Sequence, residues 1–223
     1  MRNPSWSGVL PGLKLDTQVI GTAPDSDRWN YNTHYYPLAD RALKSGTQSV
    51  LDVGCGEGML ARRLRRRIPQ VVGIDPDATS IAAGREQSDD IDYICGDVFE
   101  YPFEPASFDA VVSYAVLHHM DAERGLSRMA ELIRPGGTLV VVGCASSEKP
   151  RDLPMDTVST VAALTALGRR TLWKHPSPIV WPPPVSFRTM REHAEHLLPG
   201  SRYRRHLLFR YSIVWTKPPA DRA

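Results

Sequence analysis

Between residues 47 and 143, short apolar runs alternate with longer helical patterns, and this alternation limits the fold more than any other feature of the chain. SVLDVG (49–54), VVGID (71–75), DYICGD (92–97), FDAVVSY (108–114) and GTLVVVG (137–143) read as strands. Each is short, rich in β-branched or aromatic residues and bounded by turn formers. Helical patterns begin at Met59 and at Ala78, and a third runs from Asp121 to Leu132. RPGG at 134–137 stops that last helix and starts the fifth strand. Strand and helix in strict alternation give a parallel sheet covered by helices on both faces.

The chain has 223 residues, 42% of them hydrophobic, enough for one domain with a sizeable core. A formal net charge of +2 gives no strong pull towards nucleic acid or an anionic membrane. The basic run RRLRRR, Arg62 to Arg67, interleaves Leu60, Leu64 and Ile68 at helical spacing, so it reads as a solvated helix face. Proline and glycine interrupt the first sixteen residues, and no run reaches the roughly 20 apolar residues of a membrane span. A cytoplasmic protein is expected. Cys55, Cys95 and Cys144 are widely separated and sit in or beside strand-like runs, so they read as small reduced core residues without metal spacing.

Beyond Gly143 the pattern changes. Residues 144–185 hold one helix-like run, MDTVSTVAALTALG, and the proline-dense WKHPSPIVWPPPV. That is too long for an ordinary connection and reads as an insertion that shapes a pocket. A helix capped by Ser186 runs to Leu198, and RYRRHLLFRYSIVWTK reads as an antiparallel hairpin turning near Phe209 and Arg210. Residues 1–45, with the aromatic cluster WNYNTHYY at 29–36, form an amino-terminal cap segment. The divisions are therefore 1–45, 46–143, 144–185 and 186–223, within a single domain.

The sharpest local signal is VLDVGCGEG at 50–58. Glycine in regular structure costs roughly 0.5–1 kcal/mol relative to alanine, so three in five residues imply a close approach to the backbone. A dinucleotide turn has the spacing G-x-G-x-x-G. Here the spacing is Asp52-x-Gly54-x-Gly56-x-Gly58, and the acid would repel a phosphate and attract an ammonium.

With VGIDPD, CGDVFEYPF, FDAVVSYAVLHHM and LIRPGGTLVVVG in order behind it, the chain resembles the class I S-adenosylmethionine-dependent methyltransferases over residues 47 to 143. The resemblance implies a Rossmann-like, doubly wound α/β sheet of seven strands, mostly parallel with an antiparallel carboxyl-terminal hairpin, under amino-terminal and inserted caps. It implies S-adenosylmethionine as cofactor. Asp52, Gly54, Gly56 and Gly58 would hold its methionine end, with Cys55, Ser113 and Tyr36 beside it. Asp75 would bind both ribose hydroxyls, Pro76 would lie against adenine, and Asp97 would accept from the exocyclic amine, with the Val98 backbone alongside. In related enzymes the segment carrying His34 and Tyr36 folds over the cofactor.

The sulfonium is already activated, so the protein's task is to hold a nucleophile in line with the methyl group in a dry site. A base with a pKa near neutrality helps where that nucleophile carries a proton. His118 and His119, after the fourth strand, are the first candidates for base or substrate hydrogen bonding, and His34 is a further one. The alternative for one of the pair is to cap the next helix. His193 and His196 read as surface residues. Enzymes that methylate base amines carry N/D-P-P-Y/F after the fourth strand, where this chain has Ser113-Tyr114-Ala115-Val116. A small, partly apolar acceptor fits better beside Trp173, Trp181 and Phe187, with oxygen, nitrogen and carbon all open as the methylated atom. Three rivals stand beside this reading. They are an NAD-dependent oxidoreductase, a non-catalytic cofactor-binding protein, and an enzyme acting on RNA or protein.

Overall fold

The computed structural model describes residues 15–16, 24–173 and 180–219. The first fourteen residues and the proline-rich 174–179 of the expected caps lie outside them. In chain order the elements are β1 (Leu15–Asp16), α1 (Tyr36–Ala42), β2 (Ser49–Val53), α2 (Met59–Arg65), β3 (Gln70–Asp75), α3 (Ala78–Gln87), β4 (Asp92–Cys95), β5 (Phe108–Tyr114), α4 (Ala122–Leu132), β6 (Ile133–Gly143), α5 (Leu153–Arg169), β7 (Leu172–Trp173), α6 (Phe187–Leu197), β8 (Arg202–His206) and β9 (Arg210–Thr216). Single 3-10 turns occupy Asp25–Asp27, Thr33–Tyr35 and Leu117–His119.

Seven strands form one sheet in the order β4-β3-β2-β5-β6-β9-β8. The first five run parallel, and β9 lies antiparallel to both β6 and β8. The doubly wound sheet and its antiparallel hairpin are those expected. Alternate side chains of each strand face opposite layers, as a pleated strand requires. Leu51 and Val53 pack with Leu126, Met129 and Leu132 of α4 and with Met190 and Ala194 of α6. Val50 packs on the other face with Ala39 of α1, Leu60 and Leu64 of α2 and Ile81 of α3. Asp77, Asp121 and Ser186 each cap a helix by accepting backbone N–H groups, which sets where α3, α4 and α6 begin.

Two boundaries differ from expectation. RPGG does not precede β6 but lies within it: Phe108 pairs with Ile133, and Ala110 then pairs with Thr138. The intervening bulge is held from the far side, where Gly136 N–H donates to the Lys217 carbonyl and Lys217 N–H to that of Gly137. Lys217 Nζ also donates to the carbonyls of Ala130 and Ile133. The hairpin turn centres on Leu208 and Phe209, at φ +57° and +56°, a region unusual for bulky residues. Packing holds it there, because Leu208 is buried against Trp29 and Ala163. Arg210 donates to the Leu208 and Phe209 carbonyls as well.

That small cluster joins the two caps to the hairpin. Trp29, α5 and Leu208 share it, and β1 pairs in parallel with β7. The basic run of α2 is less solvated than its spacing suggests. Arg62 is 13% exposed and pairs with Asp25, while Arg63 pairs with Asp40. With the Arg28–Glu57 pair at 2.5 Å, where both side chains are at most 2% exposed, these contacts fasten the amino-terminal segment to the glycine turn.

Candidate active site

The carboxyl ends of β2, β3, β4 and β5 open into one cavity of about 730 Å³. It lies where the order reverses between β2 and β5, the place at which open α/β sheets take ligands. Asp52, Gly54, Cys55 and Gly56 form one wall, and Asp75, Pro76, Asp97 and Val98 the next. His118 and His119 stand across from them, and Tyr36 closes over the top. Asn30, Tyr31 and Asn32 of the amino-terminal segment and Leu172, Trp173, Val180 and Trp181 of the insertion complete the roof.

Each acid has a distinct setting. Asp52, 2% exposed, leaves Oδ2 without a partner. Burial, with the charge of Asp75 nearby, pushes its carboxyl up to about 8. Asp75 is oriented by two backbone donors, Gly56 N–H to Oδ2 and Asp77 N–H to Oδ1, both at 2.9 Å. Each of its oxygens keeps a lone pair for a further donor. Asp97 is exposed at the rim and accepts from Phe99 N–H.

Gly54, Gly56 and Gly58 have φ of +71°, +53° and +79°, which favours glycine at all three. A Cβ on Gly54 would lie 2.2 Å from Val116 Cγ2, and one on Gly58 would lie 2.0 Å from the Tyr93 hydroxyl. At two of the three positions the protein's own side chains come close enough to the backbone to require glycine. Gly58 is the N-cap of α2 and does not line the cavity.

His118 and His119 lie 4.0 Å apart between ring centroids, tilted at 42°, on the 3-10 turn after β5. Burial, with His119 and Arg210 nearby, pulls His118 down to about 3, and its Nδ1 has no partner. The ring is neutral at physiological pH and far weaker as a base than the near-neutral group expected. Burial also lowers His119.

Four expected residues stand elsewhere. Ser113 faces away and its hydroxyl donates to the Val53 carbonyl, tying β5 to β2. Gly58 only shapes the turn. His34 is exposed, packs edge-on to Trp29 and Tyr35, and lines a different cavity beside Arg170 and His206. Phe187 lies in the core under α6, not in the pocket. Cys144 is buried and Cys55 half-buried, both lining the cavity, but Cys95 is exposed rather than a core residue. Sequence reasoning missed Arg210, which enters the cavity from β9 and donates from Nε and Nη2 to Asn32 Oδ1 at 2.9 and 2.8 Å. In RYRRHLLFR it is one arginine among four, and only the closure of the hairpin onto the cap distinguishes it.

The cavity suits the cofactor implied by the glycine turn. A buried carboxylate oxygen without a partner fits an ammonium, and a carboxylate held by two backbone donors fits a ribose diol. Among the described residues no three His, Cys, Asp or Glu side chains gather as metal ligands, and no helix is long and apolar enough to cross a membrane.

Comparison with known proteins agrees with this geometry. The family model described as methyltransferase domain matches residues 51–141. An uncharacterized methyltransferase of Mycobacterium bovis is 42% identical over 193 residues, covering 85% of this chain and 98% of its own. A ubiquinone biosynthesis O-methyltransferase of Rhodopseudomonas palustris is 42% identical over 98 residues, 41% of this chain and 38% of its own. Among solved structures, a SAM-dependent methyltransferase from Aquifex aeolicus superposes with a TM-score of 0.56 at 16% identity, covering 81% of this chain and 87% of that one.

Proposed function

The chain belongs to the S-adenosylmethionine-dependent methyltransferases, and from that premise we propose that it methylates a small, partly apolar molecule held beneath the cap. The lining carries this reading: Tyr31, Trp173 and Trp181 border the same cavity of about 730 Å³ as the acids, a size and lining that suit a compact acceptor beside the cofactor. The O-methyltransferase name of the R. palustris relative supports oxygen as the methylated atom. Three unpaired cysteines fit a reducing, cytoplasmic setting.

Bound S-adenosylmethionine supplies an activated methyl group on a sulfonium. In our reading Asp52 takes the methionine ammonium, and its orphaned Oδ2 then gains a partner. Asp75 accepts from the ribose hydroxyls, held in position by Gly56 and Asp77 N–H. Pro76 lies against adenine, with Asp97 and the Val98 backbone at its polar edge. Tyr36 and Cys55 complete the wall. The cap excludes water, and the residues opposite the acids hold the acceptor in line. His118, neutral and with an Nδ1 that has no hydrogen-bond partner in the protein, hydrogen-bonds the acceptor rather than carrying away its proton as a strong base.

The test is to incubate purified protein with methyl-labelled cofactor and a cell extract separated by molecular size. Label appearing in the low-mass fraction supports the reading. Label confined to protein or RNA would overturn it.

A further inference from the structure

The ionisable groups of the cavity are unevenly placed. Asp52, Asp75, Asp77 and Asp97 all lie at the ends of β2, β3 and β4, while among the described residues the end next to β6 and β9 holds one guanidinium, that of Arg210. Arg210 is half-buried, and burial pulls it below its ordinary pKa. Its hydrogen bonds go to neutral acceptors only: Asn32 Oδ1 and the carbonyls of Leu208 and Phe209. Its ring neighbour is Tyr31, 5.8 Å from the guanidinium carbon. No carboxylate among the described residues pairs with it, whereas the part-buried Arg62 and Arg205 each have one.

A buried cation without a counter-ion is costly unless a partner supplies one. Asn32 could have been that partner with a single change to aspartate, and instead it orients the fork while leaving its charge uncompensated. The histidine beside it is neutral and has an unpartnered nitrogen, and Trp181, 57% exposed, supplies a flat apolar surface among the lining residues. We propose that the methyl acceptor is an organic anion, a planar ring bearing a carboxylate, whose charge pairs with Arg210. This rests on the reading of the cavity as the methyl-transfer site and names the acceptor class within it. Arg210 then sets specificity: neutral molecules of the same shape leave its charge unpaired and are rejected.

The experiment titrates protein saturated with S-adenosylhomocysteine with 4-hydroxybenzoate and with the neutral isostere 4-hydroxybenzamide. Calorimetry is run on wild type, Arg210→Gln, Arg210→Lys and Asn32→Asp. Wild type should bind the acid at least about tenfold more tightly than the amide, as a charge-assisted pair implies. Arg210→Gln should lose that preference and Arg210→Lys should keep part of it. Asn32→Asp keeps the shape of the Arg210 partner but neutralises the guanidinium in place, so it too should lose the preference with the fold intact. Equal affinity for acid and amide, no binding of the acid, or an acid preference that survives both Arg210→Gln and Asn32→Asp overturns the proposal. Affinity for S-adenosylhomocysteine, measured on the same samples, separates the two readings. If it is retained while the acid preference is absent, only the acceptor class falls. If it is absent in wild type, the site itself has been misassigned.

Discussion

Asp52→Asn replaces a buried carboxylate by a neutral group of the same shape, and its consequences can be worked from the structure. Unliganded Asp52 is held at about 8, against an ordinary 3.8, by burial first and by Asp75 second; Tyr36 and Cys55, the other groups near it, are raised and so neutral. At pH 7 it is therefore mostly protonated, and pairing it with the cofactor ammonium requires that proton to leave. Each pH unit below about 8 then costs about 1.4 kcal/mol of binding free energy, a tenfold loss of affinity. Calorimetry of S-adenosylhomocysteine binding in buffers of different ionisation enthalpy should show close to one proton released near pH 6.5. Asp52→Asn should abolish that release and weaken binding at pH 8 by about 1.5–3 kcal/mol, roughly 10- to 150-fold. The sign for stability is opposite. A carboxyl raised in the folded state favours folding at low pH and loses that contribution as pH climbs from about 4 to about 8. The unliganded variant should gain stability over wild type across that window and hold the gain above it. A variant with wild-type affinity and wild-type proton release would refute the assignment of Asp52.

Asp75→Ala should weaken S-adenosylhomocysteine binding at least about tenfold by calorimetry, since it removes two charge-assisted acceptors, with circular dichroism unchanged. Gly54→Ala should lower thermal stability by about 2–4 kcal/mol, because its Cβ would overlap Val116 at a positive φ; adding Val116→Ala should restore only the packing part of that loss. Glu57→Gln should cost about 1–3 kcal/mol, since it leaves the buried Arg28 guanidinium only its longer contact with Asp25 at 3.7 Å, and limited proteolysis should then cut the amino-terminal segment ahead of the sheet. His118→Ala should lower kcat without altering its pH profile between about 5 and 8, since a ring at about 3 does not titrate there; loss of an inflection in that range would restore a general base.

The acid-lined half of the cavity was legible because it is built from residues at successive strand ends. Asp52, Asp75 and Asp97 each follow an apolar run and precede a turn, so local pattern places them together once the strands are parallel. The RPGG bulge was not legible, because it depends on Lys217, more than eighty residues away, taking up the free carbonyls at the end of α4. The glycine turn was legible only in part for a similar reason: Tyr93 and Val116, which fill the space beside Gly58 and Gly54, belong to later elements. Ser113 was misplaced by one step of the pleat, since on β5 it points to Val53 rather than to the cavity. The remainder of the lining includes Asn32, His118, Trp173, Trp181 and Arg210, five residues from four separate segments. No sequence periodicity marks such a set.

A crystal structure of the protein with S-adenosylhomocysteine tests the central claim most directly. The account predicts the amino group at Asp52, the ribose hydroxyls at Asp75, the adenine between Pro76 and Asp97, and the sulfur facing the space bounded by His118 and Arg210. Ligand density in the separate cavity beside His34 and Arg170, or reversed so that the adenine occupies the Arg210 end, would contradict it.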